Sequence, residues 1–272
     1  MPQSLFTSVK SMELENLETI RYGSTDGVAE ICLNRPEIKN AVNSTMWREL
    51  EFCLDDFASD ADKKVLVVTG AGGAFCSGAD LSDRSRTVDP PMHRMRKVGE
   101  VALKLHRLAK PTIAKVPGIA AGAGCNLAFG CDLIVASDNA RFSEIFIKRG
   151  LSLDFGGSWL LPRLIGLHKA KELAFFGEVI PAAKALELGL VNRVVGPEEL
   201  DRVVDEWAQE LTLAPPLALS LSKAMLNDSF SMTMAEALEQ EARSQAVNLV
   251  AEDAVEAIAA FKEKRKPVFK GR

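Results

Sequence analysis

The feature that most constrains this chain is a pattern it uses twice. KVLVVTG (64–70) is a short, nearly continuous Val/Leu run of the kind buried on both faces of a sheet, and it passes straight into the glycine-rich AGGAFCSGADLS (71–82). After MRKVGEVALKLHRLA, whose spacing predicts a helix, the strand recurs as KPTIAKV (110–116) and the small-residue turn as PGIAAGAG (117–124). CNLAFGC then reads as a helix and DLIVAS as a strand. Strand, glycine turn and helix in alternation predict a mixed α/β fold.

The flanking segments agree with that reading. LETIRYGSTDGVAEICLNRP (17–36) predicts a hairpin around a Ser-Thr-Asp-Gly turn, closed by Pro36. In NSTMWRELEFCLDDFASD (43–60), Met46, Leu50, Cys53, Leu54 and Phe57 fall at helical spacing behind a cap at Asn43 or Ser44. From about residue 156 onward the chain reads as mostly helix, its last run from TMAEALEQ to FKEKRK read without a break. At 272 residues with 47% hydrophobic content the chain can fill a proper core, which excludes disordered and fibrous classes.

Several kinds of chemistry are excluded early. GAGGAF (70–75) follows a strand, but Phe75 stands where a dinucleotide fingerprint needs its third glycine, and Leu127 breaks GAGCNL in the same way. Five cysteines without CxxC spacing predict reduced, buried thiols in a cytoplasmic protein with no metal site. A net charge of −4 offers no broad field for nucleic acid, and the apolar run 118–136 contains Asn126 and Asp132 and is broken by glycines, so no membrane span is expected. The leading eleven residues read as a frayed terminus without a targeting pattern. His93, His106 and His168 adjoin no strained serine turn. The tail KEKRKPVFKGR carries six cations in eleven residues, either a solvated helix end or a contact for ligand phosphates.

What remains are the two small-residue turns. Each ends a strand and opens toward a helix, where backbone N–H groups lack partners. Side by side, two such turns can aim two N–H groups at one oxygen and form an oxyanion hole. Either turn alone is better explained by tight strand-to-helix packing.

In this order the motifs resemble the crotonase, or enoyl-CoA hydratase/isomerase, superfamily over nearly the whole chain. CLNRPEIKNAVN is similar to its strand-end segment, GGAFCSGADLS and GIAAGAGCNLAFGCDLIVA to its two oxyanion-hole loops, and AFKEKRKPVFKG to its tail. The resemblance implies a spiral of repeated ββα units over residues 1–195, carrying the coenzyme A and oxyanion-hole loops. It implies a helical region over 196–272 that builds a homotrimer or hexamer and caps the site. It further implies an acyl-CoA thioester as substrate, with no separate cofactor. The N–H groups of Ala79 and Ala123 would hold the thioester oxygen. Ala79, Asp80, Leu81 and Ser82 would line the adenine and pantetheine path, and Phe261 and Lys264 would touch the nucleotide, commonly across a subunit boundary.

A hydratase of this superfamily resembles a two-carboxylate machine, yet the matching positions here read Asn126 and Phe146, neither able to exchange protons. Glu144 lies two residues from the second position, at the wrong spacing to Gly150. Asp154, in RGLSLDFGGSWLLPR (149–163), matches the lone acid/base aspartate of isomerases similar to those of phenylacetate breakdown. Without that resemblance, Asp154 reads as an N-cap for a helix starting near Gly156. The expectation is an isomerase that moves a 3-enoyl double bond to the 2-position with Asp154 as its acid/base. Three alternatives stay open: a hydratase using Glu144 or water alone, a reaction like that of aryl-CoA dehalogenases with His93 or His106 as base, and a non-catalytic acyl-CoA binder.

Overall fold

The computed structural model describes residues 16–83 and 90–272. The expectation for the leading eleven residues, and part of the loop after Ser82, lie outside the described residues. β1 (Ile20–Thr25) and β2 (Val28–Leu33) form the expected antiparallel hairpin, with Asp26 and Gly27 both at positive φ (50° and 81°). Two left-handed residues give the primed turn whose twist matches that of the strands it joins.

β2 then pairs in parallel with β3 (Val65–Gly70), β3 with β4 (Thr112–Val116), β4 with β6 (Leu133–Ser137) and β6 with β9 (Arg193–Val195). A smaller sheet holds β5 (Ile119–Ala121), β7 (Arg141–Ser143) and β8 (Ile180–Pro181). Single bridges, Val42 to Ala79 and Cys76 to Ala120, extend this second layer to the earlier turns of the chain. Each turn thus gives a strand to the main sheet, a short extended piece to the second layer, and then a helix, which is the spiral of ββα units.

β3 is buried along its whole length. Its alternate residues enter two different cores, as the period of two requires. Leu66 and Val68 join Met46, Leu50, Cys53 and Phe57 of α1 (Ser44–Ser59), while Val65 and Val67 meet Val203, Val204 and Ala208 of α6 (Leu200–Thr212). The α1 cap is Asn43, whose side chain accepts from the Met46 N–H at 2.8 Å. Such a cap is worth about 1 kcal/mol, whereas each fully buried Leu, Met or Phe on that face contributes roughly 2 kcal/mol, so the apolar stripe holds α1 in place.

α2 (Pro91–Arg107) and α3 (Ala123–Phe129) follow the two glycine turns, and α4 (Gly157–Phe176) follows a 3-10 turn at Ile145–Arg149. α4 is broken at Gly166 (φ 74°, ψ 159°). α5 (Ala182–Leu188) precedes β9, and beyond α6 the chain forms α7 (Pro216–Asp228), α8 (Met234–Val250) and α9 (Glu252–Glu263).

Two features depart from the sequence reading. β7, β8 and β9 are too short to show a period, and two of them fall in the part read as helical. The last helical run is also interrupted, at Ala251, which is extended. There the tail returns along α9: the Lys270 and Gly271 N–H groups donate to the buried Asp253 carboxylate (2.6 and 2.8 Å), and Arg265 pairs with Glu256. No described helix is long and apolar enough to cross a membrane.

Candidate active site

The first glycine turn is held by a buried amide. The Asn40 side chain donates to the carbonyls of Ala71 (2.9 Å), Ala74 (2.9 Å) and Phe75 (3.2 Å), and its oxygen accepts from the Arg35 N–H (2.9 Å). Farther along, Asp83 accepts from the Ser44 N–H and hydroxyl, tying the turn to the start of α1. The second turn is held against the first, with the Ala121 N–H donating to the Cys76 carbonyl at 2.9 Å.

Gly78 shows how close the two turns lie. A Cβ built on it would stand 2.9 Å from the Ala121 carbonyl oxygen and 3.9 Å from the Ala123 nitrogen, and its φ of +101° is in any case a glycine conformation. The structure therefore brings Ala79 and Ala123 together. Asp80 donates its N–H to Val42 and Gly122 donates to Ser143, but the N–H groups of Ala79 and Ala123 make no backbone hydrogen bond among the described residues. Ala123 is the first residue of α3, where the helix itself supplies no acceptor.

The other expected binding residues fall in two places. Leu81 and Ser82 are exposed beside Ala79. Asp80 is buried, and its carboxylate accepts from Arg35 (2.9 Å) and from the Ser82 N–H and hydroxyl (2.9 and 2.7 Å). Burial alone would raise its pKa, yet those donors hold it below the usual carboxylate range, so this side chain braces the turn. Phe261 and Lys264 lie at the exposed end of α9, which packs chiefly on α8.

Asp154 sits just before α4, and the cap reading is not what the structure gives. The helix begins behind Gly156 in the left-handed region with no side-chain cap, and it is the Asp154 main-chain carbonyl that accepts from the Gly157 N–H at 3.0 Å. The carboxyl oxygen Oδ1 is buried without a hydrogen-bond partner. Burial pushes the Asp154 pKa up to about 6, so at neutral pH it is ionised yet poised to take a proton.

Three elements fix its place. Phe155, next in the chain, has φ +47°, a strained value for an aromatic residue, and its ring stacks on Trp47 of α1 at 5.3 Å. The Asn126 amide of α3 donates to the Asp154 carbonyl at 3.0 Å. Gly157 has no room for a side chain, because a Cβ there would stand 2.4 Å from that amide nitrogen.

Asn126 also donates to Glu144 Oε2 at 3.3 Å. Glu144, set aside above on its spacing to Gly150, thus lies beside Asn126 at the first carboxylate position, 1% exposed, with its pKa raised by burial to about 8. The signal that finds it in the sequence is the one that singled out Asp154, a lone carboxyl in an apolar stretch, FSEIFI. Phe146 is buried with its ring 3.6 Å from where a Gly122 Cβ would lie, filling the space beside the second turn. Of the two histidines held in reserve, His106 packs edge-on to Trp159 at 5.0 Å and burial lowers its pKa, whereas His93 is exposed on α2.

Comparison with known proteins adds the context. A family model described as Enoyl-CoA hydratase/isomerase matches residues 23–272. The chain is 38% identical over 253 residues to the 1,2-epoxyphenylacetyl-CoA isomerase of Escherichia coli, covering 90% of this chain and 96% of that one. It is 36% identical over 257 residues to a short-chain-enoyl-CoA hydratase of Clostridium acetobutylicum, covering 94% and 97%. The crystal structure of an enoyl-CoA hydratase from Bacillus anthracis matches it with a TM-score of 0.89 at 31% identity, over 94% of this chain and all of that one.

Proposed function

The chain belongs to the enoyl-CoA hydratase/isomerase family of the crotonase superfamily, and on that premise we propose that it is an acyl-CoA isomerase moving a 3-enoyl double bond to the conjugated 2-position. The observation that carries this reading is the state of Asp154: a half-buried carboxyl that caps no helix, with Oδ1 buried and unpartnered and a pKa near the working range. The two positions where a hydratase would keep its carboxylates hold an amide and an aromatic ring.

In the proposed reaction the thioester oxygen accepts from the Ala79 and Ala123 N–H groups. The Asp154 carboxylate takes a proton from the carbon between the carbonyl and the double bond. The electron pair moves onto the thioester oxygen as an enolate, where each preorganised donor stabilises the charge by about 3 kcal/mol. Asp154 then returns the proton to the far carbon of the former double bond, leaving the conjugated product. One carboxyl suffices, and no water is consumed.

The same reading places the coenzyme A chain along Ala79–Ser82, with Phe261 and Lys264 reaching a neighbouring subunit's nucleotide. Exposed apolar residues on α7–α9, among them Leu226, Met234, Leu249, Val250 and Phe261, support assembly into a trimer or hexamer. Unpaired cysteines, four of them buried, support the cytoplasm as the compartment.

A second reading, hydration, draws support from the approach of Glu144 to Asn126 and from the Clostridium relative. The two are separated by product mass. With a 3-enoyl-CoA the purified protein should yield the 2-enoyl isomer at unchanged mass, and with a 2-enoyl-CoA it should add water slowly or not at all. Rapid gain of one water from the 2-enoyl-CoA would overturn the isomerase reading in favour of hydration.

A further inference from the structure

The buried carboxyl groups of this protein divide into two kinds. Glu49 accepts from the Glu18 and Thr19 N–H groups and the Thr19 hydroxyl, so both its oxygens are met by donors. Asp253 accepts two backbone N–H groups, and Asp80 accepts from Arg35 and Ser82. Both oxygens of each of these carboxyls are met by donors.

Around Glu144 two neutral donors, the Asn126 amide and the Cys125 thiol, are outnumbered by acceptors. The groups that face its carboxyl are the Asn126 amide and Cys125 thiol from α3 and the Asp154 carboxyl from the segment before α4; no cation acts on it among the described residues. The Asn126 amide has two hydrogens, and both are used, on Glu144 Oε2 and on the Asp154 carbonyl. Three oxygens in this one cluster are buried without a partner: Asn126 Oδ1, Glu144 Oε1 and Asp154 Oδ1. All three are acceptors. Two facing carboxylates in such a place repel each other, and an acceptor without a donor carries a desolvation penalty of about 1–3 kcal/mol.

We propose that Glu144 is a positioning residue that carries a proton throughout the neutral range, supplying one more donor to a cluster in which acceptors outnumber donors and keeping a second negative charge away from Asp154 and the enolate. Through Asn126 the same carboxyl is joined to the main chain of Asp154, so the proton-bearing group and the proton-moving group sit on one amide. In this role Glu144, 1% exposed, exchanges no proton with substrate. Two titratable groups with environments that set their pKa values apart divide the roles, one ionised and one neutral. This inference rests on the assignment of the reaction to Asp154 only for its kinetic consequence; the protonation stands without it.

The test is infrared spectroscopy of protein carrying carboxyl-labelled glutamate, titrated from pH 6 to pH 10, together with the pH profile of kcat in wild type and Glu144→Gln. A label-shifted protonated-carboxyl band should be present at pH 7 and disappear with a midpoint near 8. Glu144→Gln should lack the band and, keeping a neutral amide in its place, should hold its kcat and KM at pH 7. It should also lack the fall in kcat expected of wild type as Glu144 ionises. Absence of a protonated glutamate band at pH 7 in the unmodified protein would overturn the proposal, whether or not the variant folds. So would an equal loss of kcat by Glu144→Gln at every pH, which would make Glu144 a group that exchanges protons with substrate. If the band is present but no enoyl-CoA is isomerised, the reading of the reaction fails and the role of Glu144 as a proton holder does not.

Discussion

At the scale of single residues, the site is built from side chains whose chemistry is set by what they lack. Among the described residues Asp154 caps no helix and has no donor at Oδ1, and Glu144 has no counter-ion. The stability of the protein should record this. Both carboxyls have folded pKa values above those of the unfolded chain, so the folded state holds protons there that the unfolded state has released. Their contribution is therefore fully present below the ordinary carboxylate range and is lost as pH rises through about 6 for Asp154 and about 8 for Glu144. Asp154→Asn removes its part of that penalty and should stabilise the protein at pH 7 by about 1 kcal/mol or more, read from the urea midpoint, with no gain at pH 4. Equal stability of the two proteins at both pH values would contradict the burial argument. Asp154 was legible in the sequence as an isolated acid among apolar residues and through its family match. Glu144 carried the same signal, but its placement beside Asn126 was not legible, because it depends on how a five-residue 3-10 turn rotates the chain, and counting back from Gly150 cannot see that.

At the scale of elements, the proposed reaction depends on two turns from different sheet crossings meeting edge to edge. The residues that make this possible are small for steric reasons that can be checked. Gly124 has the Cys76 carbonyl 2.5 Å from where a Cβ would stand, and Gly78 combines a close approach to Ala121 with positive φ. Gly78→Ala should push the Ala79 N–H out of line with that of Ala123, lowering kcat by about 100-fold, the cost of losing one oxyanion donor, while circular dichroism shows a folded protein. A variant with wild-type kcat would mean that the two turns serve packing alone. These turns were readable from their glycines and from the strands that lead into them. The short strands β7, β8 and β9 were not, since three residues or fewer show no period and owe their form to the sheet beside them.

At the scale of the whole molecule, the spiral makes distant parts of the chain neighbours. Asp154 is pinned by α1 through Phe155 and Trp47, by α3 through Asn126 and by its own α4 through Gly157, so one carboxyl is held by elements more than a hundred residues apart in the chain. The sequence carried the order of the motifs, and hence the architecture, but not this convergence, which arises only when the layers stack. The C-terminal helices were legible as helices, whereas the break at Ala251 was hidden because it answers to the tail folding back on Asp253. The proposed reaction turns on Asp154 as the proton carrier. The most direct test is the initial rate of conversion of a 3-enoyl-CoA to its conjugated isomer, followed by thioester absorbance, for wild type and Asp154→Asn with acyl-CoA binding measured alongside. The variant should bind as wild type does and lose about 100-fold or more in kcat; an unchanged rate with intact binding would contradict the account.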